Sequence, residues 1–478
     1  MPGTRTIDTA FRADRIGTCA FAVAVAMWIA WLATHLPFVN APPAVAGPIV
    51  LGTQLVAAAW IARRWLGGCA TLTVVVTSAA AGIVSSLINL LILGAFLVEA
   101  PSDATGAPTP GVAGLKPGAL VTAMGFVAAG ALIGLLGGVM GSVMRRSDAT
   151  TQNVDPGVSW VARLALVACV AIAPLLILGG AVTSTASGMA VRGWPDSYGA
   201  NMFLFPISLM SNPRIFFEHA HRLFGSLVGL TTLVLMLLAL WRGPSRGVRL
   251  GAVSVFVLVC VQGVLGGARV LENSRGFALL HGVLAQLTFA AAVALAVHSA
   301  PGFRRAAPWE PDLKHRLTRV TATGLLHALV LQLVLGAAYR HFGAVHALYT
   351  HAAFSFVVVT MAAVLGFALL GWAPSGAGCG WWGSRGMGIE RLTMRRLGLG
   401  LLASVLVQFL LGWIAFYAVL TGPAKGPVPL PEQIHTAAPI DVWRSSVATL
   451  HHTNGAFVLA LATATYVWAR RIFQKPRG

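Results

Sequence analysis

The chain has 478 residues, of which 57% are hydrophobic and only 10% are charged, and its formal net charge at pH 7 is +19. A soluble globular domain carries about 25% charged residues, so this composition excludes one and indicates a polytopic membrane protein. The basic excess does not indicate nucleic acid, because Lys and Arg cluster in every second loop between apolar runs, which predicts cytoplasmic loops facing anionic lipid headgroups.

Apolar runs long enough to cross a bilayer, at roughly 20 residues each, recur along the whole chain. They predict twelve transmembrane helices, at about 16–37, 44–62, 69–98, 118–144, 159–182, 216–241, 249–268, 276–299, 317–338, 344–372, 395–420 and 446–470. An even number of spans agrees with basic residues at both ends. The predicted fold class is therefore an all-α polytopic membrane protein with both termini in the cytoplasm.

The predicted spans divide into three groups. Residues 1–150 form an extra four-helix membrane region, whose Ala, Gly, Ser and Thr residues suit close helix packing and to which we assign no chemistry. Residues 151–310 and 311–478 each contain four spans and repeat one another. Because both groups enter the membrane from the same side, we predict two parallel pseudo-repeated four-helix bundles.

A Gln-x-x-Leu-Gly motif marks three of these later spans. It occurs at 262–266, 332–336 and 408–412, and the first two copies lead into Arg269 and Arg340 at the predicted outer end of the helix. We interpret the motifs as packing motifs rather than ligands. The two arginines are either ordinary loop charges or contacts for an anionic ligand.

Four histidines lie near the same end of every second helix in the eight-helix run: His221, His281, His351 and His451. A neutral imidazole is a good iron ligand, and it is unfavourable in hydrocarbon without a partner. Their common depth predicts two bis-histidine haem sites near the outer face, with His221 opposite His281 and His351 opposite His451. The neighbouring His452 remains an alternative to His451.

A carboxylate accompanies only the first of these pairs. Glu218 precedes His221 by three residues, so both lie on one helix face, and it can orient the ligand or handle protons. The matching position in the second bundle is Leu348. This asymmetry predicts one reactive site and one electron-transfer site. Arg222, like Arg269 and Arg340, is placed to meet a haem propionate.

Several segments together resemble the heme A synthase family. They are Phe217–Gly225 with its Glu-x-x-His-Arg motif, Gly266–Val270, Leu280–Gln286 and the loop Gly188–Pro195. The similarity extends over about residues 155–475. The chain differs from the family in its four additional N-terminal spans, and it lacks the cysteine pairs that some bacterial members carry in outer loops.

The resemblance implies an enzyme with two four-helix bundles. Such an enzyme oxidises the C8 methyl group of heme O to a formyl group through hydroxylated intermediates, giving heme A. Carried over to this chain, His221 and His281 would be the axial ligands of the substrate, heme O, with Glu218 as the catalytic carboxylate. His351 and His451 would be the axial ligands of a heme B cofactor.

The resemblance also implies partners and a location. Heme O synthase would act upstream and cytochrome oxidase would receive heme A, in the inner (plasma) membrane among lipids and without nucleic acid. Two other functions remain open from the residues alone. A cytochrome b-type electron-transfer protein would contain heme B alone, and a transporter using histidines as proton relays would be colourless.

Overall fold

The computed structural model describes residues 13–99, 114–146, 159–307, 313–371, 389–423, 426 and 428–473. Within these ranges the chain forms thirteen α-helices, and the strands are limited to Val98–Glu99 and Gly114–Leu115, which pair antiparallel. The predicted all-α fold class is confirmed.

The long helices coincide with the twelve predicted spans. They are α1 (Ala13–His35), α2 (Pro43–Arg64), α3 (Thr71–Leu93), α4 (Ala119–Arg146), α5 (Trp160–Ser184), α6 (Pro213–Arg242), α7 (Arg246–Glu272), α8 (Arg275–Ser299), α10 (Leu313–Phe342), α11 (Val345–Leu370), α12 (Ile389–Leu420) and α13 (Val442–Ile472). The short helix α9 (Pro301–Arg305) was not predicted.

Among the described residues, 11 helices are long and apolar enough to cross a membrane. These are the long helices other than α13. The polar residues His451, His452 and Asn454 lie inside α13 and lower the mean hydropathy of its first half. The number of spans thus agrees with the prediction of about twelve, and the exception is a helix that carries candidate site residues.

The chain divides into two compact units. The first contains the residues up to Pro174 together with Val191–Leu238, and the second contains Leu175–Ala190 together with the residues from Ala239 onward. The domain boundaries drawn from the sequence, at 1–150, 151–310 and 311–478, stay a prediction.

Small residues bring the helices of the first unit close together. A Cβ atom at Gly82 of α3 would overlap the backbone of Gly130 in α4, and one at Gly141 of α4 would overlap Ala59 of α2. The small residues of this region therefore allow the close packing that the composition predicted.

In the second unit, α8, α10, α11, α12 and α13 surround one apolar core. Its fully buried members include Leu325, Leu365, Leu401 and Ile472. Other apolar side chains point away from this core, such as Val264 on α7, which is 62% exposed. Such exposed apolar side chains suit contact with lipid.

Candidate functional site

Glu218 lies on the first turns of α6 and is almost completely buried, with 4% of its surface exposed. Its Oε1 accepts a hydrogen bond from Nη2 of Arg222 at 2.7 Å, one helical turn later. Its Oε2 accepts one from the backbone N–H of Val191 at 2.8 Å. A buried carboxylate is stable only when it is paired and hydrogen-bonded in this way.

Arg222 connects α6 to segment 191–196. Its Nη1 donates to the carbonyl oxygens of Gly193 and Asp196, each at 2.9 Å, and its Nη2 donates to that of Val191 at 2.8 Å. Both terminal nitrogens of the guanidinium group are thus engaged by the segment and by Glu218. A propionate contact by Arg222 stays a prediction.

The histidines of α6 have different surroundings. His219 is fully buried, and its ring lies 4.5 Å from that of Phe205, measured between centroids, with its Nδ1 3.4 Å from Oγ of Ser197. His221 is only partly buried. His219 and His221, two residues apart on α6, thus lie in different surroundings.

His351 on α11 and His451 on α13 face each other in the second unit. Their ring centroids are 6.1 Å apart, and the ring planes make an angle of 80°. Two metal–nitrogen bonds of about 2 Å, together with the distance from each nitrogen to its ring centre, span about 6 Å. The centroid separation is therefore the one expected of two imidazoles that bind one iron atom.

His452 lies beside His451 in sequence but has different contacts. Its Nδ1 is 3.3 Å from Nε2 of Gln286 on α8, and its ring packs against Gly180 of α5. Of the two neighbouring histidines, His451 is thus the one whose ring is opposite His351.

The glutamines of the Gln-x-x-Leu-Gly motifs contact three of the candidate histidines. Gln262 contacts His281, Gln332 contacts His351, and Gln408 contacts His451. The sequence interpretation as packing motifs missed this role. The available signal was the order along the chain, because each motif lies on the helix that precedes a candidate histidine.

Arg269 and Arg340 lie close enough to each other to interact electrostatically. The guanidinium group of Arg269 occupies the space that a side chain would need at Gly188. Nη2 of Arg340 donates to the carbonyl oxygen of Gly180 at 2.9 Å. Neighbouring guanidinium groups form a site for carboxylates or other anions, so this arrangement fits the propionates of a porphyrin.

Across the parts of the chain that the structure describes, no three His, Cys, Asp or Glu side chains converge as the ligands of a metal ion. A zinc or di-iron centre needs such a group of protein ligands, whereas a haem iron takes four ligands from the porphyrin and needs two from the protein. The pair of His351 and His451 matches the number of protein ligands that a haem iron takes.

Residues 162–355 match the COX15-CtaA family model, described as cytochrome oxidase assembly protein. The matched range runs from α5 into α11 and includes Glu218, His221, His281 and His351. No curated protein and no solved structure matches the chain.

Proposed function

We propose that this chain, whose residues 162–355 match the COX15-CtaA model of cytochrome oxidase assembly proteins, is a heme A synthase. Its reaction would be oxidation of the C8 methyl group of heme O to a formyl group. The observation that carries the proposal is the opposition of the His351 and His451 rings at 6.1 Å, since it suits an iron porphyrin in the bundle that lacks a catalytic carboxylate.

The heme B cofactor is assigned to His351 and His451. The substrate, heme O, is assigned to His221 and His281. The iron of the bound porphyrins would carry the electrons of the oxidation. Glu218 precedes His221 by three residues, whereas the matching position in the other half of the repeat is Leu348. This difference supports placing the chemistry at the first pair and electron transfer at the second.

Glu218 has a defined task in such a reaction. With water as the source of the oxygen atom and an external electron acceptor, conversion of a methyl to a formyl group releases protons as well as electrons, so a carboxylate at the substrate site can accept a proton. Its contact with Arg222 fixes the position of the carboxylate on α6. The same pair holds segment 191–196 against α6.

The three arginines have different proposed roles. Arg269 and Arg340 would contact propionates, because their guanidinium groups lie near each other. Arg222 makes four hydrogen bonds to segment 191–196 and Glu218, so a positioning role suits it better than a propionate contact. The carbonyl oxygen of Gly180 accepts a hydrogen bond from Arg340. The absence of a side chain at Gly188 leaves space for the guanidinium group of Arg269.

The partners follow from the substrate and product. Heme O synthase would supply heme O, and cytochrome oxidase would receive heme A. The eleven long apolar helices support a multi-pass protein. We place it in the inner (plasma) membrane, with both termini in the cytoplasm and the haem sites near the outer face.

A cytochrome b-type electron-transfer function is the second candidate, because the His351–His451 pair alone would serve it. Expression with heme O synthase in a host that lacks heme A, followed by chromatography of the extracted haems, separates the two functions. A heme A synthase yields heme A in these cells. A cytochrome b leaves heme O unchanged.

A further inference from the structure

The three Gln-x-x-Leu-Gly motifs share one geometry with the histidine of the following helix. A Cβ atom at Gly336 would lie 2.9 Å from Cε1 of His351, and one at Gly266 would lie 3.2 Å from Cε1 of His281. A Cβ atom added at Gly412 would lie 3.2 Å from Cε1 of His451. In each case the imidazole ring occupies the space beside the glycine.

The glutamine four residues earlier supplies the partner of the ring. Nδ1 of His351 lies 2.9 Å from the backbone carbonyl oxygen of Gln332. In the other two pairs the glutamine side chain contacts the ring. The side-chain amide of Gln262 lies 2.8 Å from Nδ1 of His281, and that of Gln408 lies 3.2 Å from Nδ1 of His451. A helical carbonyl already accepts from the N–H four residues later, but it has a second lone pair.

The spacing explains why glycine follows glutamine by four residues. The carbonyl of residue i points toward the N–H of residue i+4, so the Cβ of residue i+4 lies beside that oxygen. Because a glycine at i+4 has no Cβ atom, the imidazole of the neighbouring helix can reach the carbonyl oxygen of residue i. The glutamine side chain adds a second link in one pair, since Nε2 of Gln332 donates to the carbonyl oxygen of His351 at 2.8 Å.

We propose that Gly266, Gly336 and Gly412 are positioning residues for iron ligation. Each leaves room for the imidazole ring of the following helix. At Gly336 this opens the carbonyl of Gln332 to Nδ1–H of His351, which leaves Nε2 of that ring as the nitrogen that binds iron. The bond also makes the imidazole a stronger donor to the metal. This inference rests on the proposed function only in that the three histidines bind haem iron, and it does not depend on the oxidation of heme O.

The test is Gly336→Ala in the full-length protein, with Gly263→Ala as the matched control. Both glycines lie in long apolar helices, and an added Cβ at Gly263 meets nothing within 4 Å. In Gly336→Ala the methyl group displaces the His351 ring from its carbonyl. We expect less heme B per protein, a shift of the midpoint potential of that haem to higher values, and altered g values of its low-spin ferric EPR signal.

Gly412→Ala provides a milder variant, because its Cβ meets the His451 ring at 3.2 Å rather than 2.9 Å. It should displace the His451 ring and alter the potential and g values of the same haem by less, even if Gly336→Ala does not fold. Potentials and EPR signals equal to those of Gly263→Ala in both variants would overturn the inference. A protein that binds haem but makes no heme A would contradict the proposed function and leave the inference standing, whereas purified protein without haem would contradict both.

Discussion

Oε1 of Glu218 accepts a hydrogen bond from Nη2 of Arg222 at 2.7 Å, and both side chains are nearly excluded from solvent, at 5% and 8% exposure. The two side chains lie one helical turn apart on α6, and each has a different proposed role. The carboxylate is the proposed proton acceptor, and the guanidinium group holds segment 191–196. Loss of either partner should therefore affect both chemistry and local structure, and the two effects can be measured separately.

Replacement of Glu218 by Gln should abolish proton transfer and retain most of the side-chain volume. Heme A formation should fall by about 10²-fold or more, the usual contribution of a positioned general base. The Soret band should persist, because the histidines are unchanged. The amount of heme A per protein is measured by chromatography of extracted haems.

Glu272→Gln, at the exposed end of α7, is the control and should behave as the wild type. Normal heme A formation by Glu218→Gln would show that Glu218 is misassigned.

Replacement of Arg222 by Lys should loosen segment 191–196. A lysine ammonium group cannot replace both ends of the guanidinium fork, which contacts three carbonyl oxygens and Glu218. Loss of two hydrogen bonds from a charged donor costs about 3 kcal/mol, which corresponds to roughly hundredfold faster amide exchange where local opening limits it. Hydrogen exchange of the Val191 amide measures this effect. The exposed neighbour Arg192 provides the control Arg192→Lys, and equal exchange in the two variants would contradict the role of Arg222.

His451 and His452 provide an adjacent pair for comparison. His451→Ala should lose the bis-histidine signal of heme B, because its ring is the one opposite His351. His452→Ala removes the contact with Gln286 and should retain that signal. Low-temperature EPR of the purified proteins distinguishes them. Loss of the signal in His452→Ala with retention in His451→Ala would reverse the assignment.

Gly188 should be required for the position of Arg269. A methyl group at Gly188 would overlap the guanidinium group and displace it. If Arg269 contacts a propionate, Gly188→Ala should raise the apparent KM for heme O by about 10-fold or more, in line with loss of a hydrogen bond to a charged group. Gly225→Ala on α6 is the control, since an added Cβ there meets nothing within 4 Å. An unchanged KM in Gly188→Ala would argue against Arg269 as a substrate contact.

The sequence was sufficient to locate the membrane helices. Runs such as 276–299 and 344–372 predicted the ends of α8 and α11 to within two residues, because the length and hydropathy of a span are set by the bilayer. The fold class follows directly from these spans. The short helix α9 was not predictable in this way, since five residues carry no hydropathy signal.

The contacts of the site were only partly predictable. The order of the histidines along the chain indicated their pairing, but it could not decide between His451 and His452. That choice depends on the rotation of α13 about its own axis, which residue spacing alone does not determine. The Gln-x-x-Leu-Gly motifs were visible as a repeat, yet their contacts involve a backbone carbonyl and the missing side chain of a glycine. Neither feature is expressed in hydropathy.

The most direct test of the account is the pigment composition of the purified full-length protein after expression together with heme O synthase. The haems are extracted and identified by chromatography and mass spectrometry. The account predicts heme B in every preparation, accompanied by heme O and its formyl product heme A. Heme B alone, from cells that demonstrably contain heme O, would contradict it.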